Sequence, residues 1–272
     1  MASMDWSTQS GSAPASYESF LVPAMFAPFA ERLIEAAGVR AGSVVLDVAC
    51  GTGVVSRAAA RAAGTGGSVT GVDLGEPTLA IARSVAPEGS VAPITYVQSD
   101  AASLPVADDQ FDSALCQQGL QFFPDRPRAL AEMHRALKPG AQVAIATWKD
   151  IEHSPFVAVA DALAAHLSRK AGEMMRSPFA LSDAEELGSL VSTAGFSGVS
   201  VTDETIECTW ASHAEFARLL IASGPVAQLF SRAPKEAQNA VGEEVAARLE
   251  PYATADGRLR MPMTTNVAIA RA

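Results

Sequence analysis

The stretch Val44-Val45-Leu46-Asp47-Val48-Ala49-Cys50-Gly51-Thr52-Gly53 decides the fold. Its first five residues are apolar apart from Asp47 and read as a short buried strand. Two glycines follow at once, and residues 54–63 have a good helix-forming composition. A strand running through a tight glycine turn into a helix lets backbone come close to a ligand. The turn is not a P-loop, because no Gly-Lys-Ser/Thr follows it, and it lacks the third glycine of the dinucleotide fingerprint. Asp47 at the strand end suits a cationic part of a ligand and would repel a diphosphate, which disfavours a nicotinamide-dependent oxidoreductase.

Working outward, residues 69–73 read as a second strand ending in Asp73, 22 residues after Gly51. In a doubly wound sheet that carboxylate stands beside the first turn, able to accept hydrogen bonds from ribose hydroxyls. A helix over 77–86, strands over 94–98, 111–116 and 143–147, and a helix over 126–137 continue the alternation. Lys138-Pro139-Gly140 punctuates the last of these joins. Such alternation implies parallel strands with helical crossovers. Upstream, residues 1–16 read as a frayed Ser/Ala/Gly-rich tail. Residues 17–37 read as helix broken by Pro23 and Pro28 and stopped at Gly38. Downstream, helices are expected over 156–170, 183–194 (Ser182 as cap), 212–222 and 235–249, with strands over 199–208 and 261–270. The two late strands suggest a sheet closed by an antiparallel edge, with helical material inserted on top. The expected divisions are 1–37 as tail and helical lid, 38–150 as cofactor-binding core, and 151–272 as the rest of the sheet with substrate-covering insertions.

Composition narrows the function. The chain has 272 residues, is 49% hydrophobic and 18% charged, and carries a net charge of −10. That supports a sizeable core. It argues against a nucleic-acid partner, because no stripe of Lys and Arg is available to neutralise phosphates. Cys50, Cys116 and Cys208 are too widely spaced for a disulfide framework or paired zinc site, and the four histidines show no His-x-x-x-His spacing, so no metal is expected. No run of eighteen apolar residues predicts a membrane span, and Asp5 and Glu18 do not suit a signal peptide. A cytoplasmic monomer or homodimer is the expectation.

Asp47-Val48-Ala49-Cys50-Gly51-Thr52-Gly53 resembles motif I of the class I S-adenosylmethionine-dependent methyltransferases. The resemblance continues through residues 71–74, Ser99-Asp100-Ala101, Leu104-Pro105, Phe111-Asp112 and residues 130–140. It covers roughly residues 40 to 148 and points to the branch holding the ubiquinone/menaquinone and natural-product enzymes. It implies a Rossmann-like α/β fold, a seven-stranded, mostly parallel sheet with an antiparallel last strand, under a helical lid and insertion. It implies S-adenosyl-L-methionine as cofactor. Backbone near Asp47, Ala49, Gly51 and Gly53 would cradle the methionine part. Asp73 would hold both ribose hydroxyls, Leu74 would pack on the adenine, Asp100 would accept from the adenine amino group and Ala101 would donate from its backbone. Gln117 or Gln118 would line the cleft beside the sulfonium, and Tyr17 would close over the methionine end. The chain departs from the family at Ala49, where glycine is common, and at Gly75, where serine is frequent.

The acceptor is less legible. Candidates for contact with it lie after strands four and five or in the lid and insertion. His153 follows the fifth strand, and histidine is a residue type suited to taking a hydroxyl proton near neutral pH. Gln118 is the second candidate catalytic residue. The apolar lid (Phe20, Met25, Phe26, Phe29) and insertion (Met174, Met175, Phe179, Trp210, Phe216, Phe230) favour a small, partly apolar acceptor such as a quinol, polyketide or terpenoid. The leading expectation is O-methylation in secondary metabolism. The alternatives are C-methylation of an activated aromatic or quinol ring and an inactive cofactor-binding partner protein.

Overall fold

The computed structural model describes residues 13–87, 89–224 and 226–272. The strands are β1 (Val44–Val48), β2 (Ser68–Asp73), β3 (Ile94–Gln98), β4 (Phe111–Gln117), β5 (Leu137–Trp148), β6 (Ser197–Trp210) and β7 (Leu259–Arg271). They form a seven-stranded sheet in the order β3-β2-β1-β4-β5-β7-β6. β1 to β5 pair in parallel, and β7 runs antiparallel to both β5 and β6. The last strand is therefore not an edge. It slots between β5 and β6, and β6 takes the outside.

Alternation along the strands feeds two cores, as the period of two requires. Val45, Leu115 and Ala144 face α2 (Ala27–Ala36) and α3 (Val54–Ala63) on one side. Leu46, Val48, Cys116 and Ile145 face α5 (Arg126–Ala136) and α8 (Ala184–Thr193) on the other. α4 (Glu76–Ser84) closes the β2–β3 end. A third core lies in the cap over the carboxyl ends of the strands. It joins the N-terminal segment to α6 (Phe156–His166), α7 (Arg169–Arg176), α9 (His213–Ser223) and α11 (Lys235–Leu249), with the short α10 (Ala227–Ser231) alongside.

Several expectations are corrected locally. Most of the expected tail lies outside the described residues, but Ala13–Ser16 is a helical turn, α1. The prolines do not break the lid. Tyr17–Phe26 is a ten-residue π-helix with Pro23 inside it, and Pro28 sits in the first turn of α2. A wider i→i−5 turn moves the carbonyl that a proline ring would strike, and a first-turn proline lacks only an N–H that has no helical partner anyway. Lys138-Pro139-Gly140 bulges β5 rather than preceding it, since the pairing jumps from Phe111–Leu137 to Ser113–Gln142. Asp183, not Ser182, caps α8, accepting from Glu185 N at 2.7 Å. The helix expected over 156–170 stops at His166, and α7 begins behind Ser168, whose side chain caps it.

Candidate active site

The carboxyl ends of β1, β2, β4 and β5 and the underside of the cap enclose an open cavity of about 410 Å³. Nine of the twelve residues singled out from sequence line it: Tyr17, Ala49, Gly51, Asp73, Leu74, Asp100, Ala101, Gln117 and Gln118. The glycine turn enters it at Gly51, held at φ +56°, where an added Cβ would meet nothing within 4 Å. Ala49 adopts φ +58° without being glycine. Its methyl also explains Gly119, since a Cβ there would come within 2.6 Å of the Ala49 Cβ.

Asp73 ties the first two turns together. Its Oδ2 accepts from Gly51 N at 2.9 Å and its Oδ1 from Gly75 N at 2.8 Å. A carboxylate has roughly four acceptor positions, so both oxygens keep capacity for a ligand. Burial raises the Asp73 pKa, and the backbone donors pull it back. Beside it Leu74 is 45% exposed, an apolar ledge beside the carboxylate. Asp100 Oδ1 accepts from Ala102 N at 2.8 Å and so shapes a turn rather than capping a helix. Its other oxygen has no such bond among the described residues.

Three of the singled-out residues are not on the cavity. Asp47 is 1% exposed, with Oδ2 accepting from Ser56 Oγ at 2.5 Å and Oδ1 unpartnered. Burial pushes its pKa up to about 7, so it does not offer a ligand a fixed negative charge at neutral pH. Gly53 lies behind the turn at φ +87°, where it starts α3. His153, expected as a catalytic base, does not line the cavity. It ends a 3-10 turn, its ring is 80% exposed, and its ionic neighbour is Asp150 at 3.7 Å. Gln118 lines the cavity with its amide held at both ends: Nε2 donates to Thr265 Oγ1 at 3.0 Å, and Oε1 accepts from Gln121 Nε2 at 3.2 Å.

The cap wall is aromatic. Tyr17 stacks on Phe26 at 4.8 Å, Phe26 meets Trp148 edge-on at 5.7 Å, and Trp148 neighbours Phe156 and Phe179. Such offset and edge-on pairs add about 1 kcal/mol each beyond area burial. Burial, with the charges of Glu18 and Asp73 adding to it, drives the Tyr17 phenol well above its ordinary pKa, so it stays protonated. The neighbouring Glu18 reaches behind the glycine turn. It pairs with Arg57 at 2.5 Å, and Arg57 also donates to Thr52 O at 2.6 Å. The sequence reading missed Leu220, Ser223 and Gly224 from α9, and Phe122 and Phe123 after β4. The phenylalanines follow a strand end directly and were findable; the α9 residues carry no local signal.

The sequence stations after Asp100 are structural. Leu104 N donates to Glu132 Oε2 at 3.0 Å, and Arg135 donates to both Leu104 O and Glu132. Val44 N and Lys138 Nζ both donate to Asp112, at the opposite end of the sheet from the cavity.

The family model described as a methyltransferase domain matches residues 46–145. The ubiquinone/menaquinone biosynthesis C-methyltransferase UbiE of Proteus mirabilis is 32% identical over 184 residues, covering 63% of this chain and 73% of that protein. The 2-phytyl-1,4-naphtoquinone methyltransferase of a Nostoc species is 39% identical over 116 residues, 42% of this chain and 51% of that one. The solved Haemonchus contortus phosphoethanolamine N-methyltransferase 2, in complex with S-adenosyl-L-methionine, shares the fold with a TM-score of 0.57 at 19% identity, over 95% of this chain and 56% of that one. The chain belongs to the class I S-adenosylmethionine-dependent methyltransferases. It uses S-adenosyl-L-methionine to methylate small molecules. The cavity's donor set fits that group: an open glycine cradle at Gly51, a carboxylate with spare acceptor capacity at Asp73, and an exposed ledge at Leu74.

Proposed function

We propose that the protein methylates carbon in an electron-rich, oxygenated apolar ring. The observation that carries this reading is the chemistry of the cavity wall. Among the described residues its titratable side chains are Tyr17, Asp73 and Asp100. Asp73 and Asp100 stand after β2 and β3, and Tyr17 holds its proton. Transfer to a neutral hydroxyl needs a base within hydrogen-bond reach. His153 was the candidate for that task, and it stands on the surface. A ring carbon activated by its own ionised or electron-donating oxygen is already a nucleophile. The carbon-methylating names of UbiE and its relatives support the same choice.

S-adenosylmethionine supplies an electrophilic methyl on a sulfonium sulfur. The chain's own residues do the rest by binding and orientation. Asp73 accepts from the ribose hydroxyls, Leu74 and Ala101 flank the adenine, and Asp100 takes its amino group. Backbone from Ala49 to Gly51 holds the methionine part. Asp47 and Gly53 act from behind, by shaping the turn. Gln118, locked by Thr265 and Gln121, forms a rigid wall, and the aromatic cap excludes water from the acceptor.

Incubation with [methyl-13C]S-adenosylmethionine and a panel of alkylated naphthoquinols and phenols tests the assignment. The expected product carries a carbon-bound label by 13C NMR. An oxygen-bound label in the preferred product would reverse it.

A further inference from the structure

Asp47 stands directly behind the glycine turn, just before Ala49 and Gly51, both of which line the cavity. Its carboxyl is out of solvent, with Oδ2 on the Ser56 hydroxyl and Oδ1 unpartnered. Buried polar atoms are normally paired, so a carboxyl left half satisfied at this place needs a reason.

The groups around it supply no countercharge of their own. Asp73 faces it from β2 and repels its ionised form. From α3, Ser56 donates to it, while Arg57 is committed to Glu18 of the π-helix and to the Thr52 carbonyl. Arg83, on α4, pairs with Glu76. Cys50 in the turn, Tyr96 on β3 and Cys116 on β4 are pushed up by burial first and by neighbouring negative charge next, so they stay neutral. Tyr17 of the π-helix likewise keeps its proton. The turn is thus backed by two carboxyls, Asp47 and Asp73, without a cation to share. Ionisation of both is opposed until a positive charge arrives.

We infer that Asp47 exchanges its proton for the sulfonium charge of S-adenosylmethionine, and so makes the pocket favour the cofactor over S-adenosylhomocysteine, whose sulfur is neutral. Asp47 gives up its proton to solvent when the cationic ligand docks on the other face of the turn. It takes a proton back from solvent once that charge is gone. The coupling acts through the field across the turn, without contact. A sulfonium favours the ionised carboxyl, so affinity for the cofactor rises with pH through the range near 7 where Asp47 titrates in the free protein. Affinity for the product gains nothing from the same ionisation. This rests on the reading that backbone from Ala49 to Gly51 holds the methionine part, and adds to it a residue that separates cofactor from product.

Calorimetric titration at pH 6.5 in two buffers of different ionisation enthalpy counts the protons released as each ligand binds. The parent, Asp47→Asn and Ser56→Ala proteins are titrated with S-adenosylmethionine and with S-adenosylhomocysteine. Subtracting the Asp47→Asn release from the parent release removes the ligands' own amino groups and Asp73. The remainder is expected at about half a proton for S-adenosylmethionine and near zero for S-adenosylhomocysteine, as for a carboxyl whose hold on its proton falls about tenfold. Between pH 5.5 and 8 the parent's preference for the cofactor should rise about five- to tenfold more than that of Asp47→Asn. Ser56→Ala keeps the carboxyl and removes its donor, so its release should centre at a higher pH than the parent's. That comparison decides the same question if Asp47→Asn does not fold. Equal remainders for the two ligands overturn the inference, as does a release in Ser56→Ala centred where the parent's is. Binding of neither ligand defeats the cofactor placement and this inference together; binding of both with equal remainders defeats this inference alone.

Discussion

Ala49, Gly51 and Gly53 all stand at positive φ, and each for a different reason. Gly51 opens into the cavity. Ala49 bears a strain of about 1 kcal/mol for a non-glycine residue. Gly53 makes room for Tyr96, whose hydroxyl oxygen would lie 2.3 Å from a Cβ at position 53. Gly71, across the same ring, would clash with Tyr96 Cδ1 at 2.8 Å. The glycines of the turn were legible in the sequence as a tight turn, but the partner of Gly53 is 43 residues away on β3, and no local pattern announces it. For a similar reason the place of Asp47 at the end of a strand was visible in the sequence, and its burial behind Ser56 was not.

That burial has a pH consequence. An ordinary aspartate near 3.8 ionises in the unfolded chain while the folded one keeps its proton up to about 7. The stability Asp47 contributes is therefore fully present below pH 4 and is lost as pH rises towards 7. Urea unfolding of the parent and Asp47→Asn proteins between pH 4 and 8 reads this group together with its repulsion from Asp73, whose charge adds to the shift. Parent stability should fall relative to the variant with a slope approaching about 1.4 kcal/mol per pH unit, then level off. A constant difference across the range would show that Asp47 titrates normally.

At the scale of elements, the N-terminal segment shows most about how far pattern reading reaches. Its apolar spacing gave a helix correctly, and the structure keeps it continuous by a change of helical register at Pro23 instead of a break. Propensity rules describe α-helix, so a π-helix stays hidden from them. Strands β1 to β4 were legible to within a residue because each is a short β-branched or apolar run bounded by turn residues, whereas β5 starts at Leu137, six residues before the expected Val143. The order of β6 and β7 was not, since either could pair with β5 on hydrophobic pattern alone. The lid is also tied down by charge. Glu18 and Arg57 are mostly buried, at 15% and 9% side-chain exposure. Glu18→Gln strands the Arg57 charge and should cost about 3 kcal/mol, read as a lower denaturant midpoint at unchanged m-value. It should also weaken cofactor binding, because Arg57 holds the Thr52 carbonyl of the turn. A variant as stable as the parent would mean that water replaces the carboxylate without loss.

Over the whole molecule, three cores divide the labour. Two clamp the sheet from either side, and the third holds a cap whose aromatic underside forms the wall of the cavity proposed to receive the acceptor. The proposed cofactor end was legible as a cluster, because its residues sit at the ends of β1, β2 and β3 and a parallel sheet brings those ends to one cavity. The acceptor end was not, because it is assembled from β4, the π-helix and α9, which meet only in the folded chain. The same separation explains His153: proximity to β5 in sequence does not carry its ring over the rim. The cap's apolar contacts follow from assembly, and so does the lack of a histidine or lysine on the wall among the described residues, on which the proposal of carbon transfer rests.

The central claim is that Asp73, bridging the first two turns, is the carboxylate that grips S-adenosylmethionine. Calorimetric titration of S-adenosylhomocysteine into the parent protein, Asp73→Asn and His153→Ala tests it most directly. One-to-one binding is expected, weakened on the order of tenfold to a hundredfold by Asp73→Asn, since hydrogen bonds to a charged group are worth about 1.5–3 kcal/mol, and unaffected by His153→Ala. Equal affinity in the parent and Asp73→Asn proteins would contradict the account.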